Sequence, residues 1–287
     1  VMAGIGASFG GASWLRLRVA ALLALCVPTL SGLVFLAWFE APHSYFIVNG
    51  AALATGLAAI AFFSMPDALY PRRALVCAGL ALLAAPMVLG PEINGVQRWI
   101  SLGGISLHTG SLTIPLIVCL AARDRPLAAP ILLAAVFLCL LQPDAACAFA
   151  LMLASVGLYF AWLDWRLGVT AMAGFAAALL ASVRGNLAPQ AFVEGIFGDL
   201  IFVAPWFALW LGLSLVIAFF LILKALPRPA AERFALAGAL AGFSLTALMA
   251  SYPLVLIGYG AAPILGFALA LGARTRTSPK DHFFEGQ

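Results

Sequence analysis

The sequence predicts an all-α, polytopic integral membrane protein of about ten transmembrane helices with both termini cytoplasmic. Three observations carry this. Apolar residues make up 64% of the 287 positions and charged residues only 9%, whereas a soluble domain carries roughly 25% charged residues on its water-facing surface. Mean hydropathy is +1.10. The apolar residues also fall in runs close to the roughly 20 residues that a membrane-crossing helix needs. Water-soluble enzymes, nucleic-acid binders and disordered scaffolds are thereby excluded. Cys26, Cys77, Cys119, Cys139 and Cys147 lie in or at the ends of apolar runs. They form no disulfide framework and no metal-ligand spacing, and read as free buried thiols.

Cutting the chain where charges, Pro or Gly interrupt the apolar runs gives the elements in order: Val19–Trp38, Tyr45–Met65, Ala74–Leu89, His108–Ala122, Leu127–Leu141, Ala145–Leu163, Leu167–Val183, Leu200–Leu223, Phe234–Ala250 and Leu254–Leu271. The first run follows Arg16 and Arg18, is long and has no small-x-small site after it, so it reads as a signal anchor. The whole chain, 1–287, is expected to be one transmembrane domain, with flexible ends at 1–14 and 273–287. Gly238 and Gly242, four apart in the ninth span, are expected to allow close helix packing.

Charge placement supports the count. With the N-terminus in the cytoplasm, thirteen of the fifteen basic residues fall on the cytoplasmic side, and only Arg98 and Arg184 face out. Lys and Arg set membrane orientation, whereas carboxylates contribute little. The acidic residues indeed split five outside to six inside.

Three outward-facing polar clusters stand out. The first is the loop Glu92–Ser111, in which Arg98 and Trp99 are adjacent. A guanidinium matches phosphate oxygens with paired hydrogen bonds, and a Trp-Arg pair also suits the headgroup level. His108, at the start of a span, reads as a packed or interfacial residue. The second is Gln142-Pro143-Asp144, which suits either a helix cap or a site. The third is Arg184–Leu200, with Glu194 and Asp199 as a carboxylate pair. Five residues apart, the two would point in different directions on a regular helix, so a two-carboxylate hydrolase is not supported. Asp199 stands directly before the eighth span, as an N-cap or a catalytic acid–base group. P-loop, GxSxG, HExxH and dinucleotide-binding glycine patterns are absent.

These clusters, in this order, resemble the SEDS family (FtsW, RodA, SpoVE) over most of the chain. Asp67 through Arg72-Arg73 to Gly95-Val96-Gln97-Arg98-Trp99-Ile100-Ser101-Leu102-Gly103 is similar to the family's third helix and its G-x-x-R-W-I-x-L-G segment. Gln142-Pro143-Asp144 matches its Q-P-D. Asp199-Leu200-Ile201-Phe202 resembles its D-F-I-F, and Glu194 sits near the Glu of its P-E-x-x-T-D. Pro253 and Gly258-Tyr259-Gly260 are similar to its P-F-x-S-Y-G-G-S. Arg98-Trp99-Ile100 leans toward FtsW. Ser111 and Ile114 stand where the family has a Glu and a Lys, and Phe207-Ala208 where it has an acidic pair.

The resemblance implies a multi-pass protein of the bacterial inner (plasma) membrane that polymerises lipid II as an inverting peptidoglycan glycosyltransferase in division or shape control. Asp199 is then the base. Arg98, Trp99, Gln142, Asp144, Glu194 and Tyr259 bind substrate, Arg98 at the diphosphate and Asp144 and Glu194 at polar groups or a divalent cation. No other cofactor is implied. The partners are lipid II, membrane lipid and a class B penicillin-binding protein transpeptidase. The alternatives are a non-catalytic SEDS-like scaffold or precursor binder and, third, a transporter or flippase. The mid-span segments lack the charges that ion-coupled transport uses.

Overall fold

A computed structural model describes residues 18–65, 68–103, 105–185 and 187–273. Arg16, Asp67, Gly104, Asn186 and the basic residues after Ala273 lie outside the described residues. The main elements are α1 (Val19–Trp38), α2 (His43–Phe62), α3 (Leu69–Ala84), the one-turn α4 (Pro86–Leu89), β1 (Trp99–Leu102), β2 (Ile105–His108), α5 (Thr109–Ala121), α6 (Ala128–Leu141), α7 (Ala145–Trp162), α8 (Trp165–Arg184), α9 (Ile196–Val203), α10 (Pro205–Phe220), α11 (Ala230–Met249) and α12 (Ala261–Gly272). A π-turn, Leu221–Ala225, extends α10. The protein is an all-α, multi-pass membrane protein. Among the described residues six helical segments are long and apolar enough to cross a membrane: Val19–Trp38, His43–Phe62, Leu69–Leu89, Ala145–Trp162, Trp165–Arg184 and Pro205–Ala225. Thr109–Ala121, Ala128–Leu141 and Ala261–Gly272 are shorter apolar helices, and α11 is a further helix of 20 residues.

The centre of the bundle is α7, which packs along α11 and α8. Lipid tails are as apolar as Leu, so helices in a membrane associate through close packing at small residues. Ala150, Ala154, Ala235 and Ala239 are fully buried in this seam. A Cβ at Gly238 would collide with Leu153 O, and one at Gly242 with Ala150 Cα. The Gly238/Gly242 pair therefore does what its spacing predicts.

Polar side chains gather at the two ends of the bundle. At one end Arg73 pairs with Asp124 at 2.7 Å. Arg123 grips Glu232 through Nε (3.0 Å) and Nη2 (2.8 Å). Arg228 donates to Ala270 O at 2.8 Å and to Leu271 O, so it satisfies carbonyls that the end of α12 leaves without helical partners. These are the loops in which the charge alternation puts the basic residues. Arg98, Gln142, Asp144 and Glu194 all lie at the opposite end.

Three expectations are corrected. The eighth span is not one helix from Leu200. Its start is the separate helix α9, broken from α10 at Ala204 ahead of Pro205. Asp199 therefore lies in the first turn of α9, not as a cap before a long span. The tenth span begins at Ala261 instead of Leu254. Pro253, Leu256 at φ 65° and Gly260 at φ 153° keep 252–260 out of a helix, although Leu254 to Ile257 are buried. Irregular backbone at such depth needs its polar groups satisfied inside the protein. Here Leu254 N donates to Val193 O (3.1 Å), Tyr259 N to Phe192 O (2.8 Å), and Gly260 N to Asn49 Oδ1 (3.0 Å). Finally, the Glu92–Ser111 loop holds an antiparallel hairpin, with Trp99 opposite His108. Before it, Asn94 (φ 51°) and Gly95 (φ 78°) make a tight turn closed by reciprocal 3.0 Å bonds between Ile93 and Val96. Asn-Gly favours this turn because both central residues need positive φ.

Candidate functional site

The hairpin, the N-terminus of α7, the 190–194 segment and the 252–260 segment enclose a cavity of about 330 Å3. Its wall includes Arg98, Trp99, His108, Asp144, Glu194 and Tyr259. Five of the seven residues singled out from the sequence thus converge. Gln142 and Asp199 are not in this wall.

Arg98 is 4% exposed. Its guanidinium donates to Gln142 O (3.4 Å), Pro143 O and Gly185 O (2.8 Å). It also stands 5.6 Å from the Tyr252 ring centroid and 6.0 Å from that of Trp99. Arg98 therefore ties the hairpin to the Q-P-D turn and to the end of α8. Carbonyls are neutral, so the positive charge persists at the cavity wall. Gln142 is structural: its side chain is buried and Nε2 donates to Leu83 O.

Asp144 is both a cap and a wall residue. Its Oδ1 accepts from Cys147 N at 3.1 Å, the expected N-cap bond of α7. Its Oδ2 lies 3.1 Å from His108 Nε2. Burial raises the cost of its charge, but His108, Arg98 and the Cys147 contact outweigh burial and hold its carboxyl well below the usual carboxylate range. His108 Nδ1 accepts the Ser111 N–H at 3.1 Å, so Nε2 carries the proton given to Asp144. Glu194 is half-buried and receives one bond, from Gln190 N at 3.3 Å. Burial pushes its carboxyl up, and the Gln190 N–H, Arg98 and His108 offset this only in part.

The fit to a metal can be tested on these contacts. His108, Asp144 and Cys147 bring ligand atoms within 4.8 Å of one another. A metal on His108 Nε2 would force the ring proton to Nδ1, against the Ser111 N–H. Both Asp144 oxygens are already taken, so Asp144 and Glu194 do not offer the oxygen cage that a hard divalent cation needs. The residues present do not fit the cation that the resemblance admits.

Several site residues were not prominent in the sequence. His108 read as packing. Tyr45 stacks on Tyr259 at 3.7 Å and 8°. Asn49, fully buried, donates to Gly258 O at 3.2 Å and accepts from Gly260 N, which holds Tyr259 in place. The available signal was an Asn inside an apolar span, one helical turn from Tyr45 and so on the same face. Tyr252 carried no signal beyond its place before Pro253.

Asp199 stands apart. It is exposed on α9, whose Ile201, Phe202 and Val203 are 54%, 88% and 75% exposed.

No protein-family model matches the sequence, and no curated protein matches it. Solved structures do. The crystal structure of Thermus thermophilus rod shape determining protein RodA is 26% identical, with 91% of this chain and 96% of that one covered at a TM-score of 0.65. An aspartate-to-alanine mutant of the same RodA is 26% identical over 88% and 94% of the two chains, with a TM-score of 0.63. A chain from a peptidoglycan synthase complex that coordinates polymerization and crosslinking shares the fold at 23% identity, over 90% and 97%, with a TM-score of 0.60.

Proposed function

The chain is a member of the SEDS family, to which RodA belongs, and from that premise we propose that it polymerises lipid II as an inverting peptidoglycan glycosyltransferase of the bacterial inner membrane. The observation that carries this is the cavity at the end of the bundle opposite the basic loops. It joins one buried cation, two carboxyl groups and a tyrosine pair within a fold like that of RodA over nearly its whole length.

The chemistry needs three things of the protein. The growing negative charge on the departing diphosphate must be stabilised, a role we give to the buried positive charge of Arg98 in the cavity wall. The acceptor hydroxyl must lose its proton as its oxygen attacks the donor's sugar carbon. By resemblance that base is Asp199, which sits on exposed α9, while Glu194 sits in the cavity wall. The sugars must be oriented, for which Trp99, Tyr259 and its stacked partner Tyr45 present aromatic surface. A class B penicillin-binding protein is the proposed partner, because glycan strands serve only once cross-linked. The likeness to a chain of a peptidoglycan synthase complex supports this.

A second reading is a precursor-binding scaffold without catalysis. It is favoured by Ser111 and Ile114, which replace the family's Glu and Lys and are buried. Polymerisation of labelled lipid II by the purified protein with its partner separates the two. Glycan strands support the enzyme, and their absence supports the scaffold.

A further inference from the structure

We infer that Tyr252 is a positioning residue for Arg98, whose guanidinium it holds toward the diphosphate of the lipid-linked substrate. This rests on the glycosyltransferase reading above and assigns what aims its buried cation. Arg98 spends Nε on Gln142 O (3.4 Å) and Nη2 on Pro143 O and Gly185 O. Among the described residues no carbonyl accepts from Nη1, so Nη1, with its two hydrogens, can serve the Tyr252 oxygen and a ligand together. The Tyr252 ring centroid lies 5.6 Å from the guanidinium carbon, within the roughly 6 Å at which a ring face attracts a cation. The Tyr252 oxygen faces both the guanidinium and the Ala145 N–H, which donate toward it. Tyr252 is itself 8% exposed and part of the cavity wall.

The backbone fixes Tyr252 before its ring meets Arg98. Glu194 bridges to Pro253, and the flanking Val193 O and Phe192 O accept from Leu254 N and Tyr259 N. The segment that begins at Tyr252 is thus pinned to the segment carrying Glu194. Gly195 then turns the chain away at φ 71°, a conformation that costs glycine little. Ala145 is the first residue of α7, so its N–H has no partner within the helix and the Tyr252 oxygen can take it. Gly185 makes room for the same guanidinium, because a Cβ there would collide with Arg98 Nη2 and Pro143 O.

The ring supplies what the carbonyls do not. The carbonyls fix Nε and Nη2 at the edge of the guanidinium, whereas Tyr252 lays apolar surface beside the group and attracts its charge through the ring electrons. A charge shielded from water in this way acts more strongly on a nearby anion than a hydrated one. The diphosphate therefore meets a cation whose direction is set in advance. Tyr252 acts through Arg98, so its effect belongs to ligands that carry negative charge and not to the polyprenyl chain.

The test is binding of a short-chain polyprenyl diphosphate, and of the polyprenol that lacks the diphosphate, to purified protein in detergent. Native mass spectrometry reads both affinities for wild type, Tyr252→Phe and Tyr252→Leu, each alone and with Arg98→Gln, at a temperature where each is folded. We expect Tyr252→Leu to weaken diphosphate binding by about 2–30-fold, the span of a cation–π contact, and to leave polyprenol binding unchanged. Tyr252→Phe, which keeps the ring, should stay closer to wild type, and Tyr252→Leu should cost nothing further once Arg98→Gln is present. Where Arg98→Gln does not fold, the diphosphate and polyprenol affinities of the two Tyr252 variants decide alone. No loss in Tyr252→Leu, or an equal loss for both ligands, overturns the inference. So does a loss in Tyr252→Phe as large as in Tyr252→Leu, which would make the hydroxyl a direct ligand contact. A wild type that binds the diphosphate no better than the polyprenol overturns instead the role given to Arg98 in the reading above.

Discussion

His108 and Asp144 meet at 3.1 Å between Nε2 and Oδ2, and each also caps a helix. His108 Nδ1 accepts the N–H of Ser111 in the first turn of α5, while Asp144 Oδ1 accepts that of Cys147 in α7. One imidazole–carboxylate contact therefore locks two helix starts to each other at the cavity wall.

Removing one member of this pair should cost more than a cap. Losing a cap alone costs about 0.5–2 kcal/mol, whereas leaving a buried charge without its partner costs about 3–5 kcal/mol. His108→Ala should fall toward the upper figure and His108→Asn, which caps well, nearer the lower. Thermal unfolding in detergent measures both.

The pH dependence follows from the sign at Asp144. Its folded-state carboxyl lies below its ordinary value of 3.8. The stability it contributes is therefore fully present above about pH 4 and is lost as pH falls through the depressed value. The gap in melting temperature between wild type and Asp144→Asn should stay constant from pH 8 to about pH 5 and narrow only in stronger acid. A gap that closes between pH 7 and 5 contradicts the assignment.

Gly110 leaves room for this contact. A Cβ there would overlap Cys147 Sγ and stand 3.2 Å from Asp144 Oδ2. Overpacking costs about 1–3 kcal/mol, so Gly110→Ala should lower the melting temperature. Adding Cys147→Ala should restore much of it, because the colliding sulfur is gone. A double variant no better than Gly110→Ala alone would show that the sulfur is not the obstacle.

Asn49 holds the 258–260 backbone with both ends of its amide. Asn49→Leu would leave Gly258 O and Gly260 N buried without that partner, at about 1–3 kcal/mol for each unsatisfied group. Tyr259 should lose its stacked position on Tyr45. Polymer yield should fall with stability, which thermal unfolding in detergent and the polymerisation assay measure together.

Sidedness can be read with single cysteines in a Cys-free background. Asp124 is a poor inner probe because it is 5% exposed and paired with Arg73, so burial alone would block labelling. Arg125 and Ser101 are both exposed. A membrane-impermeant maleimide on intact cells should label a cysteine at Ser101 and spare one at Arg125. The reverse pattern would invert the topology.

The all-α, multi-pass membrane architecture was legible in the composition because lipid excludes charge. The Q-P-D cap and the Gly238/Gly242 seam were legible as local chemistry. The non-helical 252–260 segment was not. Leu254 to Ile257 are as apolar as a helix, and the groups that bond this segment's backbone, Val193 O, Phe192 O and the Asn49 amide, lie far away in the sequence. The split between Glu194 and Asp199 was half visible. Their spacing already set them in different directions, but only the turn at Gly195 and the pairing with Pro253 show which one faces the cavity.

The most direct test of the central claim, that the lipid-linked headgroup reacts in this cavity, is the site of labelling by a lipid II analogue with a photoreactive group beside its diphosphate. Mass spectrometry of the protein labelled in membranes should place the adduct on peptides spanning Arg98–His108, Gln190–Glu194 or Tyr252–Tyr259, with unmodified lipid II competing it away. Competed adducts found only at the basic end, around Arg123, Arg228 or Arg233, would contradict the account.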